Sequence, residues 1–141
     1  MERMVKYVDQ LVTDWNKQPH VLLVEDDPVE SELMRRTLTE YGCEVVCCRD
    51  AEEAEAFLRG HNSAIDIIFL DLKFSNSGGT GVDVLKVQKQ THPKVPVVVV
   101  TGCAESDVLS QAMRLGYFGL VEKPLTKPLL KTVFGAHKLG A

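Results

Sequence analysis

The stretch HVLLVEDDPVESELMRRTLTEYGCEVVCC, residues 20–48, decides the fold class. His20 to Glu25 is a short apolar run of valine and leucine, the pattern of a strand buried on both faces. Pro28 then suits the first turn of a helix, with Asp27 as its N-cap. That helix runs to about Tyr41 and stops at Gly42. Cys43 to Cys48 is a second apolar run and reads as a second strand.

The same alternation continues along the chain. Asp50 caps a helix from Ala51 to Arg59, stopped by Gly60. Ile65 to Leu70, Pro96 to Val100 and Phe118 to Glu122 read as the third, fourth and fifth strands. Gly81 to Gln90, with Val82, Leu85 and Lys86 spaced by three and four, reads as a helix. So do Glu105 to Leu115 and Thr126 to about Lys138. Ser75 to Thr80 is a loop rich in serine and glycine. Five strands, each followed by a helix, make an α/β protein with a parallel sheet covered on both faces. A barrel needs eight such units, so the sheet is expected to be open and doubly wound. Before Pro19, Met4, Val8, Leu11, Val12 and Trp15 recur on one helical face. This predicts an N-terminal helical extension over residues 1–18 and a single domain over 19–141.

Composition narrows the function. A chain of 141 residues holds one domain of ordinary size. The net charge of −4 argues against a direct grip on nucleic acid or an anionic membrane. No apolar run approaches the roughly 20 residues that span a bilayer, and residues 1–18 carry no signal-peptide core, so a cytoplasmic location without membrane insertion is expected. The four cysteines, Cys43, Cys47, Cys48 and Cys103, form no CxxC pair, and no histidine stands at zinc spacing beside them. They read as reduced packing residues.

In a doubly wound sheet the ligand site lies beyond the carboxyl ends of the strands. The first strand ends in Glu25, Asp26 and Asp27, the third in Asp71, the fourth in Thr101, and the fifth in Glu122 and Lys123. Clustered carboxylates repel one another unless a cation neutralises them. A donor set of hard oxygens without histidine or thiolate suits magnesium or calcium. Asp71 is then a candidate nucleophile for a phosphoryl group, with Lys123 and Thr101 placed to stabilise charge on its oxygens.

These residues carry a family resemblance. Val-Leu-Leu-Val-Glu-Asp-Asp at 21–27, Ile-Ile-Phe-Leu-Asp-Leu at 67–72, Val-Val-Val-Val-Thr-Gly at 97–102 and Glu-Lys-Pro-Leu at 122–125 resemble the receiver domain of two-component response regulators, in the family's order. The resemblance covers roughly residues 19–138 and implies a flavodoxin-like sheet of strand order 2-1-3-4-5. It implies Asp71 as phosphoacceptor and metal ligand, Asp26 as direct ligand of Mg2+ and Glu25 acting on the metal through water. It further implies the backbone carbonyl of Lys73 as another ligand, Thr101 as phosphoryl-binding residue and Lys123 as partner of Asp71 or its phosphate. A cis Lys123–Pro124 peptide goes with it. The implied partners are a histidine kinase or histidine phosphotransfer protein and a downstream protein target.

The sequence departs from the family pattern at Ser75, where a proline is usual, in a longer loop from Ser75 to Gly81, and at Leu120, where an aromatic switch residue is usual. The N-terminal extension is a fourth departure. None touches the acidic pair, Asp71, Thr101 or Lys123. A phosphoacceptor switch rather than an enzyme is therefore expected. An aspartate-nucleophile phosphatase would open with Asp-x-Asp-x-Thr, which is absent after Asp71. A receiver-like binding module that works without phosphorylation is the other alternative, and the intact site residues speak against it.

Overall fold

The computed structural model describes residues 18–60, 64–71, 81–102, 114, 116 and 119–135. Elements over these residues are β1 (His20–Val24), α1 (Pro28–Glu40), β2 (Glu44–Cys48), α2 (Ala51–Gly60), β3 (Ile67–Leu70), α3 (Gly81–Thr91), β4 (Val97–Thr101), β5 (Gly119–Glu122) and α4 (Lys127–Phe134). All strand pairs are parallel, and the sheet order is β2-β1-β3-β4-β5. The N-terminal helical extension expected over residues 1–18 lies outside the described residues except for Gln18, which is not helical. So does the helix read at Glu105 to Leu115, of which only Arg114, helical, is described.

The central strands are buried on both faces, and their period of two divides the core. Val21, Leu23, Ile67, Phe69, Val98 and Val100 face Met34 and Leu38 of α1 and Leu130, Val133 and Phe134 of α4. Leu22, Val24, Ile68, Leu70, Val97 and Val99 face Ala51, Ala54 and Leu58 of α2 and Val84, Leu85 and Val87 of α3. Phe134 anchors the first layer, its ring 5.8 Å from that of Tyr41 and 6.2 Å from that of Phe69.

Local chemistry sets the element ends. Asp27 accepts from the backbone N–H groups of Val29 (2.8 Å) and Glu30 (3.0 Å), which a helix start otherwise leaves unpaired. Gly42 ends α1 at φ 106°, a conformation that side chains disfavour. Asp50 caps α2 through Glu53 N–H at 2.7 Å. Several strand bounds are tighter than the apolar runs suggested. β1 stops at Val24 and β3 begins at Ile67, while β4 starts at Val97 and takes in Thr101. Asp66, which reads as a surface residue at a strand start, accepts from His20 N–H at 2.7 Å and ties the starts of β3 and β1 together. Lys86, assigned to the apolar stripe of its helix, is exposed; Val84, Val87 and Gln88 are buried instead. Gln88 donates to the carbonyls of His92 (2.9 Å) and Val95 (3.2 Å) and so holds the turn into β4.

Candidate functional site

The carboxyl ends of the strands carry the chemistry, and the sheet's own hydrogen bonds place it. The ladder continues one residue past three strands. Glu25 N–H donates to Cys48 carbonyl at 3.1 Å, Asp71 N–H to Val24 carbonyl at 3.0 Å, and Lys123 N–H to Thr101 carbonyl at 2.9 Å. Residues far apart in sequence are thereby fixed side by side on one rim. α1 leaves β1 toward one face and α3 covers the other, so the rim opens between β1 and β3, where strand order reverses.

Glu25, Asp26 and Asp71 converge: one carboxylate oxygen of each lies within 4.8 Å of those of the others. Glu25 and Asp71 are buried and Asp26 is half-buried. This cluster could hold a metal ion, and its all-oxygen donor set fits a hard divalent cation. Lys123 stands against it. Its Nζ lies 2.7 Å from Glu25 Oε1, 3.3 Å from Asp71 Oδ2 and 3.2 Å from Glu30 Oε1. The other oxygen of Glu25 accepts from Asp27 N–H at 3.1 Å. Thr101 is buried at the end of β4, paired across the ladder with Glu122. The Lys123–Pro124 peptide is cis. Lys73 and the loop from Ser75 to Thr80 lie outside the described residues.

Burial dominates the electrostatics. It disfavours the Glu25 carboxylate, and the neighbouring Asp71 charge adds to this. The Lys123 and Asp27 hydrogen bonds only partly offset them, so the Glu25 pKa rises to about 7. Burial also works against the Lys123 ammonium, but the Glu25 hydrogen bond and the Asp71 and Glu25 charges outweigh it and hold its pKa above the usual lysine value. The thiols at Cys43 and Cys48 are pushed up to about 12, chiefly by burial. They stay protonated and pack, as the sequence suggested.

The raised Glu25 pKa couples folding stability to pH. Folded protein keeps the Glu25 proton up to about pH 7, whereas the unfolded chain releases it near 4.5. The stabilising contribution is therefore full below pH 4.5 and lost as pH rises through about 7. Without metal, wild-type protein should lose a few degrees of thermal midpoint relative to Glu25→Gln across this window. Scanning calorimetry of both proteins between pH 4.5 and 7.5 is the measurement. Parallel curves would show that Glu25 titrates as an ordinary carboxylate.

Of the residues that the sequence singles out, the fold brings Glu25, Asp26, Asp71 and Lys123 into one cluster, with Thr101 at the end of the neighbouring β4. Sequence reasoning missed Glu30. The available signal was the Asp27-Pro28-Val29-Glu30 spacing, which resembles a helix-capping pattern and so suggested no role at the site.

A family model for the response regulator receiver domain matches residues 21–134. The chain belongs to the response regulator receiver domain family. The transcription factor SKN7 of Candida albicans is 31% identical over 125 residues, covering 88% of this chain and 22% of that protein. The nitrogen assimilation regulatory protein NtrX of Azorhizobium caulinodans is 30% identical over 113 residues, 80% of this chain and 24% of NtrX. The chain thus spans about a quarter of the length of these relatives. Among solved structures, the receiver domain of NtrX from Brucella abortus superposes with a TM-score of 0.70 at 26% identity, over 86% of this chain and 99% of that one. The chemotaxis protein CheY4 of Vibrio cholerae superposes at 0.71 and 22% identity, over 87% and 99%, and shares the fold. No helix among the described residues is long and apolar enough to cross a membrane.

Proposed function

We infer that this chain is the phosphoacceptor switch of a phosphorelay: Asp71 takes a phosphoryl group from a histidine kinase or histidine phosphotransfer protein and signals by protein–protein contact. The observation that carries this reading is the clustering of a buried, nucleophilic carboxylate with two further carboxylates and one ammonium at the strand-order reversal. In the transfer, an Asp71 carboxylate oxygen forms a bond to phosphorus as the donor's P–N bond breaks. The electron pair stays on the imidazole nitrogen, which takes a proton from solvent.

Asp26, Asp71 and the Lys73 carbonyl would hold Mg2+, with Glu25 behind them. When bound, the ion supplies positive charge against the phosphoryl oxygens. Lys123, already 3.3 Å from Asp71 Oδ2, adds a second positive charge. Asp71 and Lys123 sit at the ends of separate strands, and the sheet positions both. Thr101 offers a hydroxyl to the phosphoryl group and begins the segment that leads toward the output surface. Leu120, half-buried and packed against both core layers, has no ring to swing and no hydroxyl. The output is accordingly a movement of the segment after Thr101, read by a downstream protein. The free thiols and the family's chemistry suit the cytoplasm.

Incubation with acetyl phosphate and Mg2+, followed by intact-protein mass spectrometry, tests this. One phosphoryl group, removed by hydroxylamine as an acyl phosphate should be, is the expected result. No adduct, or one that hydroxylamine leaves in place, would refute the assignment.

A further inference from the structure

Glu30 stands at the third helical position of α1, three residues after the Asp27 cap, where a glutamate ordinarily folds back onto the cap's own backbone. At α2 the same chain folds such a glutamate back to the residue just before the cap. There Glu53, three residues after the Asp50 cap, accepts from the backbone N–H of Arg49 at 3.2 Å. At α1 the corresponding duty is already discharged, because Asp27 N–H donates to Glu25 Oε2 at 3.1 Å. The Glu30 carboxylate turns outward from its helix to Lys123 Nζ, 3.2 Å away.

An ammonium has three N–H donors. Among the described residues Lys123 has three carboxylate neighbours, Glu25 at 2.7 Å, Glu30 at 3.2 Å and Asp71 at 3.3 Å. When Asp71 becomes an acyl phosphate its own contact passes to the phosphoryl group, and for Lys123 to turn a second donor to that group either Glu25 or Glu30 must yield. The Glu25 side chain is 1% exposed, and stripping a buried carboxylate of its counter-charge is strongly unfavourable. The Glu30 side chain is 43% exposed, so water replaces its partner at little cost.

We propose that Glu30 is a positioning residue of the phosphoryl site: it holds one donor of Lys123 while Asp71 is unphosphorylated and yields that donor to the phosphoryl group. Glu30 thereby lowers the affinity of the site for a phosphoryl group and favours return to the resting state. The proposal rests on Asp71 being the phosphoacceptor.

Beryllofluoride with Mg2+, an analogue of the phosphoryl group, is the probe. Its affinity and dissociation rate are measured on wild type, Glu30→Gln and Glu30→Asp, with thermal midpoints alongside. Glu30→Gln should bind beryllofluoride about two- to fivefold tighter, the range that an exposed ion pair spans. The gain should fall mainly in slower dissociation, because the extra Lys123 contact exists only in the bound state. Glu30→Asp keeps the charge and the helix start but is one methylene too short to reach Nζ, so it should show a gain as well. Unchanged affinity in Glu30→Gln would overturn the proposal. So would wild-type affinity in Glu30→Asp, which would show that charge alone acts and the contact does not. A lower thermal midpoint with no gain in affinity would mark Glu30 as a helix residue only. Failure of wild type to bind beryllofluoride would instead remove the phosphoacceptor reading itself, and the role of Glu30 with it.

Discussion

Asparagine in place of Asp71 is expected to reduce phosphoryl incorporation to below about one per cent of wild type while leaving the fold intact, since a neutral amide is a far poorer nucleophile than a carboxylate. The two side chains have nearly the same shape. The backbone N–H of residue 71 still donates to Val24 carbonyl, so the β1–β3 ladder is undisturbed. Lys123 keeps Glu25 at 2.7 Å and Glu30 at 3.2 Å, so no buried charge is stranded. The substitution also removes one cause of the raised Glu25 pKa, which should move back toward 4.5. Mass spectrometry after acetyl phosphate treatment reads the first effect, and carbon-detected NMR titration of the Glu25 carboxyl reads the second. An adduct at wild-type yield in the variant would place the phosphoacceptor elsewhere.

Alanine in place of Asp26 is expected to abolish metal binding and phosphorylation together. Removing a group that merely orients a ligand costs about 10- to 100-fold in metal affinity, so losing a direct ligand should cost at least about 100-fold. Stability should move the other way. Asp26 is half-buried beside the carboxylates of Glu25 and Asp71, and deleting one of three like charges relieves repulsion in metal-free protein. Calorimetric titration with Mg2+ and the Mg2+ dependence of phosphorylation should fail in parallel, while the metal-free thermal midpoint holds or rises. Normal labelling with unaltered Mg2+ dependence would assign the metal to other groups. Lower stability together with retained metal binding would make Asp26 a structural residue.

Leu120, where the family usually carries an aromatic residue, bears on the proposed output. Leu120 contacts both layers of the core, so a rotamer change there would disturb packing on two faces at once. This suits a switch in which the backbone after Thr101 moves and Leu120 stays in place.

Much of the fold was legible because its signals are local. A run such as Val21 to Val24 can satisfy its backbone and bury its side chains only inside a covered sheet, and the Asp27 cap, Pro28 and Gly42 each act on their immediate neighbours. The alternation of five such runs with helices specifies an open doubly wound sheet, and its strand ends place Asp26, Asp71, Thr101 and Lys123 at one rim. Other features depend on packing between residues far apart. An unbroken apolar run does not say which of Leu22 and Leu23 faces α2 and which faces α1; the helices on each side decide that. The bond from His20 to Asp66 and the exposure of Lys86 come from β1 and from the packing around α3, not from adjacent residues. The charge sharing around Lys123 is the furthest from sequence. Glu25, Glu30 and Asp71 compete for one ammonium only because parallel strands bring residues 25, 71 and 123 to the same depth and the Asp27 cap aims α1 across them. The sequence alone determined which groups stand at the strand ends; tertiary structure decided that Glu30 joins them and how they divide the charge, because Coulomb energy and desolvation depend on distance and burial rather than on order along the chain.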